Sequence, residues 1–182
     1  MTARISPLSG WTERFAAASA DPARFSIREL PFVAQIGLRG DVRQPANTWT
    51  DDGGRHVLWL GPDERLVTAA DAQRETLLEM PGAVDLSASR AVLELSGDQA
   101  RSVLAKGCTL DLRGRAFRAP QCAQTLLARC QVLLQAVDGC PTFRVFVRIS
   151  FSDYLAEWLL DAAAETRASR GLDAERIATR LA

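Results

Sequence analysis

Residue types able to do acid–base or nucleophilic chemistry are few in this chain of 182 residues. Its one histidine, His56, follows Gly53 and Gly54 in a polar stretch, which predicts a surface residue rather than a catalytic base. No GxSxG elbow, GxGxxG fingerprint or P-loop occurs, so a serine-hydrolase triad and a phosphate cradle both lack their sequence signatures. The sequence predicts no catalytic constellation.

The carboxylates and arginines leave two interpretations open. Asp51 and Asp52 stand in a Gly-rich loop, where turn chemistry explains them. Asp111 follows a predicted helix end and is either a ligand-facing carboxylate or an ordinary loop residue. Close behind it is a basic loop, which either pairs with an anionic partner or is simply solvated, and its arginines are Arg113, Arg115 and Arg118.

The spacing of the cysteines indicates free thiols rather than a metal site. Cys108, Cys122, Cys130 and Cys140 form no CxxC pair, and the single histidine lies far from them. We therefore predict no metal ligands and expect small buried thiols in a reducing compartment. The absence of a signal peptide pattern and of a membrane-length apolar run predicts a cytoplasmic protein.

Charge and aromatic content bear on the class of partner. The chain has 22 basic and 22 acidic residues, and this balance argues against binding to nucleic acid or to an anionic membrane. Trp59 and Trp158 are expected in the core. Trp49 is expected in a loop spanning residues 40–56, where it would act as an interface anchor.

Two similar strand–turn–strand–helix units would position these residues. The first has strands at 57–60 and 66–69 around the Gly61–Glu64 turn, and a helix at 70–80. The second has strands at 131–137 and from Phe143 onward, joined by an Asp138–Gly139 turn, and a helix that starts at Ser150 or Ser152. This order predicts an α+β fold of antiparallel sheets with packed helices, built from two similar β-β-α halves.

The remaining segments complete the expected organisation. Residues 1–24 are expected to form an N-terminal arm, residues 25–166 the α+β domain, and residues 167–182 a polar tail or short helix. Ser96 and Gln99 fit a capping box for a helix ending at Gly107. The last long helix carries one apolar stripe, consisting of Phe151, Tyr154, Leu155, Trp158, Leu159 and Ala162.

Four segments together resemble a known family. They are LWLGPDE at 58–64, VDLSASRAVLELSGDQARSVLAKGCTLDL at 84–112, CAQTLLA at 122–128 and PTFRVFVRISFSDYLAEWLLDAAAE at 141–165. In this order they resemble the γ subunit of heterotetrameric sarcosine oxidase over about residues 25–166. Arg65 stands where family members often have a tryptophan, a departure at a surface or packing position.

A more distant resemblance concerns residues 84–112, which are similar to the folate-binding domain of the glycine cleavage system T-protein, an aminomethyltransferase. It implies a folate-binding-domain-like α+β fold. In that enzyme a carboxylate pair follows the hairpin corresponding to residues 125–137, whereas no acid lies between Cys122 and Val137 here. The resemblance therefore implies the scaffold without the chemistry.

The sarcosine oxidase resemblance implies an accessory, non-catalytic γ subunit. Its complex oxidatively demethylates sarcosine to glycine with O2 and tetrahydrofolate, giving hydrogen peroxide and 5,10-methylenetetrahydrofolate. FAD, FMN, NAD, zinc and tetrahydrofolate would then belong to other subunits. The α subunit would be the main contact, with β and δ completing the heterotetramer, and no residue of this chain would be catalytic, cofactor-binding or metal-binding.

Two alternatives stay open. One is a free-standing folate-dependent C1-transfer protein related to aminomethyltransferase, which Asp111 and the basic loop would support. The other is a small-molecule binding or regulatory module unrelated to folate.

Overall fold

Ten strands and four α-helices make up the chain in a computed structural model that describes residues 4–139 and 141–181, with side chains described as far as residue 166. The strands are β1 (Ser26–Glu29), β2 (Ala34–Arg39), β3 (Trp49–Asp52), β4 (Arg55–Gly61), β5 (Glu64–Ala69), β6 (Val84–Asp85), β7 (Arg90–Ser96), β8 (Cys122–Leu127), β9 (Cys130–Ala136) and β10 (Phe143–Arg148). The helices are α1 (Thr12–Ala18), α2 (Arg74–Leu78), α3 (Ala100–Ala105) and α4 (Ser152–Leu181). Short 3-10 turns precede α1, α2 and α4.

The strands form two five-stranded antiparallel sheets. The first has the order β1-β7-β10-β9-β8, and the second β3-β4-β5-β2-β6. Leu58 and Leu66 of the second sheet share one buried cluster with Leu133 and Phe146 of the first, so the sheets pack face to face. Helices α1, α3 and α4 cover the other face of the first sheet, and α2 covers the other face of the second.

The α+β fold with two β-β-α units is confirmed. Strands β4 and β5 are an antiparallel hairpin followed by α2, and β9 and β10 are an antiparallel pair followed by α4. The alternation of apolar residues along β10 places Phe143, Val145 and Val147 against the helices. The β8–β9 hairpin also forms where the sequence predicts it.

The N-terminal segment differs from the arm predicted for residues 1–24. It folds into α1 and packs on the domain, because Leu8 and Phe15 are apolar enough to enter the core beside α4. The indole N–H of Trp11 donates to Asp153 at 2.7 Å, and Arg14 forms an ion pair with Glu157 at 2.6 Å. These contacts attach the segment to this chain's own last helix.

The C-terminal end also differs from the prediction. Helix α4 continues through the segment expected to be a tail or a separate short helix, up to Leu181. Of the predicted apolar stripe, Leu155, Leu159 and Ala162 are buried, whereas Phe151 and Tyr154 are each 48% exposed.

The expected capping box at Ser96 and Gln99 is wrong. Ser96 is the last residue of β7, and the helix α3 has no side-chain cap. The chain instead enters α3 through Gly97, which has φ +94° and lies so close to Arg24 that an added Cβ would be 2.7 Å from that residue's carbonyl carbon. Backbone bonds from residues 98 and 99 to residues 23 and 24 hold this crossing in place.

Candidate functional site

The loop predicted at residues 40–56 contains a strand, and this changes the surroundings of Trp49 and His56. Trp49 begins β3, is 9% exposed and donates its indole N–H to the carbonyl of Ala136 at 2.7 Å. Its ring stacks on His56 with 4.3 Å between ring centroids. The predicted loop position of Trp49 is therefore wrong, and His56 is half-buried rather than at the surface, because Thr50–Val57 pairing brings this hairpin into the second sheet. A contact of Trp49 with a partner stays a prediction.

His56 is half-buried and is held as a neutral acceptor. Its Nδ1 accepts from the Gln135 side-chain amide at 2.7 Å and from the Arg144 guanidinium at 3.2 Å, which places the proton on Nε2. Burial, followed by the positive charge of Arg144, holds the pKa of His56 below its usual value of 6.5. These contacts tie the second sheet to the first rather than present the imidazole to a substrate.

Glu94 supplies the carboxylate that pairs with the arginines of this cluster. It accepts from Arg28 Nε at 2.9 Å and from Arg144 Nε at 3.1 Å, and only 11% of its side chain is exposed. Burial raises the pKa of Glu94, but the hydrogen bonds and charges of Arg28 and Arg144 outweigh burial and leave its pKa lowered. The carboxylate is therefore fully used within the fold.

Asp111 and the basic loop do not form an acid–base site. Asp111 bonds both the backbone N–H and the guanidinium of Arg113, the latter at 2.7 Å from Oδ1, and these bonds lower the pKa of Asp111 to about 2. Arg115 and Arg118 are exposed. Arg101 stabilises the loop by donating to the carbonyl oxygens of Leu112 and Phe117. Asp111 is therefore ionised near neutral pH and stabilises its own loop, so it cannot serve as a proton donor.

The cysteines that the structure describes are free. Cys122 and Cys130 are buried and Cys108 is half-buried, whereas Cys140 lies outside the described residues. Burial raises the pKa of Cys122 to about 11, so this thiol is not an activated nucleophile. Among the described residues no group of three or more His, Cys, Asp or Glu side chains is placed to hold a metal. Nor does any described helix combine the length and apolarity needed to cross a membrane.

A groove on the first sheet contains two arginines that the sequence analysis did not single out. It has a volume of about 580 Å³ and is lined by Arg90 of β7 and Arg148 of β10, with Leu133 and Phe146 between the sheets. Arg148 lies directly opposite Arg90 in the β10–β7 register. The available signal was the alternation of Arg144, Phe146 and Arg148 along one face of a predicted strand.

The family model and the related sequences that match this chain all carry the same description. A family model described as the sarcosine oxidase gamma subunit family matches residues 34–165. The sarcosine oxidase subunit gamma of Corynebacterium sp. (strain U-96) is 36% identical, with 85% of this chain and 86% of that protein covered. The subunit gamma from Arthrobacter sp. is 34% identical, with 89% of this chain and 91% of that protein covered.

Solved structures agree with the sequence relatives. The heterotetrameric sarcosine oxidase from Corynebacterium sp. U-96, in complex with pyrrole 2-carboxylate, includes a chain that matches with a TM-score of 0.76 at 35% identity, covering 89% of this chain and 95% of that chain. Aminomethyltransferase T from Bartonella henselae matches with a TM-score of 0.53 at 18% identity, covering 76% of this chain and 46% of that chain, which shows a shared fold. By its family match and its close relatives, the chain belongs to the sarcosine oxidase gamma subunit family.

Proposed function

We propose that this chain is the accessory, non-catalytic γ subunit of a heterotetrameric sarcosine oxidase that converts sarcosine to glycine. The observation that carries the proposal is the match over 89% of the chain to a chain of a solved sarcosine oxidase heterotetramer. The reaction in this proposal consumes O2 and tetrahydrofolate and yields hydrogen peroxide and 5,10-methylenetetrahydrofolate. The flavins, NAD and zinc belong to other subunits, and the α subunit is the main contact.

The described side chains support an accessory role. His56 and Glu94 are bonded within the fold, and Asp111 is held ionised by Arg113. No observation favours the folate-dependent C1-transfer alternative, because Asp111 was its best candidate and is not free to exchange a proton near neutral pH. A cytoplasmic location is part of the proposal and is supported by free thiols at Cys108, Cys122 and Cys130.

The experiment is co-expression of the tagged chain with the partner subunits of its source, followed by affinity purification, a visible spectrum and a sarcosine turnover assay. We expect a yellow four-subunit complex that oxidises sarcosine, while the chain purified alone is colourless and inactive. Asp111→Asn in the complex should leave turnover unchanged. A colourless, unassembled chain or sarcosine oxidation by the chain alone would contradict the proposal.

A further inference from the structure

The face of the first sheet that points toward the second sheet has one polar cluster at each end of β7 and β10. At one end Arg144 lies opposite Glu94, which also binds Arg28, so both guanidinium groups have a carboxylate partner. The centre of this face is apolar and consists of Val92 and Phe146. At the other end Arg148 lies opposite Arg90, two like charges in directly opposed positions.

The Arg90–Arg148 end has no ion pair among the described residues. Among the described residues neither guanidinium forms an ion pair or hydrogen bond, and the Nη1 of Arg90 is buried without a partner. The carboxylate whose charge acts on Arg90 is that of Glu64, whose ion-pair partner at 3.4 Å is Arg39, an arginine that Asp63 also binds at 3.1 Å. A buried, unsatisfied guanidinium nitrogen is costly, and such groups need an explanation.

The groove around these arginines has the shape and chemistry of a small ligand site. Its volume is about 580 Å³, and none of its lining residues is acidic. Leu133 and Phe146 provide an apolar floor, and Gln124, whose side-chain amide donates to the Leu60 carbonyl at 2.8 Å, and Gln131 line the groove as well. Binding sites of this kind combine apolar walls with few, well-placed polar groups.

We propose that this groove binds a carboxylate carried on a small apolar body, with Arg90 and Arg148 as its charge partners. A guanidinium presents parallel N–H donors that match the two oxygens of a carboxylate. Phosphate sites add backbone N–H groups of a helix N-terminus or Gly-rich loop, whereas this groove is lined by strands and the loop at Thr109–Leu110. The carboxylate belongs either to a free organic acid or to an acidic side chain of a partner subunit.

The test is isothermal calorimetry on the full chain with benzoate as the carboxylate probe. Benzyl alcohol is the neutral probe of similar size, and inorganic phosphate is the competing anion. We expect benzoate to bind with a Kd of about 1 mM and at least tenfold more tightly than either comparison probe. Arg90→Met and Arg148→Met should each weaken benzoate binding at least tenfold, whereas Arg113→Met, which removes an exposed arginine paired with Asp111, should not.

Three results would overturn the proposal: no saturable benzoate binding, equal binding of benzyl alcohol or phosphate, or unchanged binding in both arginine variants. Circular dichroism checks that each variant folds. If Arg90→Met does not fold, the Arg148→Met variant decides the question, because the Arg148 side chain is exposed and contributes little to the core.

Repeating the titration on the assembled complex identifies the source of the carboxylate. Benzoate binding that persists in the complex assigns a free organic acid to the groove. Binding that is lost on assembly, together with weaker assembly of Arg90→Met, assigns an acidic side chain of a partner subunit, and both results support the site. If the chain assembles with no partner, the proposed function fails while the titration of the chain alone still decides the site.

Discussion

Replacement of Trp49 by phenylalanine tests whether this side chain belongs to the fold or to an interface. Trp49 is 9% exposed, donates to the Ala136 carbonyl at 2.7 Å and stacks on His56. Phenylalanine keeps an aromatic ring but removes the buried donor, at a cost of about 1–3 kcal/mol. The smaller ring leaves a gap between the sheets worth about 1 kcal/mol more. We expect Trp49→Phe to lower the free energy of unfolding by about 2–4 kcal/mol.

The assay is urea unfolding followed by far-ultraviolet circular dichroism, since the chain has four tryptophans and fluorescence would mix their signals. Trp11→Phe is the matched control because it removes the same atoms and a hydrogen bond of the same length, 2.7 Å, to Asp153 at the exposed surface. Water replaces that partner on substitution, so we expect a loss under about 1 kcal/mol.

The two substitutions separate the competing explanations of Trp49. If Trp49→Phe changes the free energy of unfolding by less than about 0.5 kcal/mol but weakens binding of partner subunits, Trp49 is an interface anchor as its sequence context suggests. Equal losses for Trp49→Phe and Trp11→Phe would refute the argument that burial of the donor sets the cost.

Three further substitutions test other parts of the fold. Gly107→Ala places a Cβ 2.6 Å from the Trp158 ring, so we expect a loss of about 1–3 kcal/mol in urea unfolding; an unchanged midpoint would contradict this close packing. Arg129 has φ 71° in the β8–β9 turn, a left-handed conformation that glycine adopts without strain. Arg129→Gly should therefore raise the free energy of unfolding by about 0.5–1 kcal/mol, whereas a lower melting temperature would contradict the turn geometry. Burial and Arg144 lower the pKa of His56 below 6.5, so as pH falls the imidazole takes up a proton in the unfolded state before it does so in the folded state. The free energy of unfolding should therefore fall as pH drops below 6.5. His56→Gln should have a shallower slope of unfolding free energy against pH in that range, and an equal slope would refute the assignment.

Local signals in the sequence predict most of the fold. The β4–β5 and β8–β9 hairpins and the strand that leads into α4 each depend on turn residues or alternation within about ten residues. Gly61 and Pro62 set the first turn, and Phe143, Val145 and Val147 alternate along β10. Features that need only neighbours along the chain can be read from one sequence.

Features that depend on distant partners could not be predicted in the same way. Leu8 and Phe15 look like scattered apolar residues until the α1 helix meets β1 and α4. Trp49 stands in a stretch rich in turn residues, and its burial depends on pairing with Leu58 and on the Ala136 carbonyl far along the chain. Such placement is decided by tertiary contacts rather than by local propensity.

Arg144 and Arg148 show most clearly why a site of this kind is hidden in the sequence. Both lie on the same face of the strand β10, four residues apart, and their composition and spacing do not distinguish them. The register of β7 gives the first a carboxylate, Glu94, and gives the second another arginine, Arg90. One arginine is therefore bound to a carboxylate within the fold, whereas the other has no ion-pair partner among the described residues. Because the difference arises from the strand alongside, charge patterns become informative about ligands only after pairing is known.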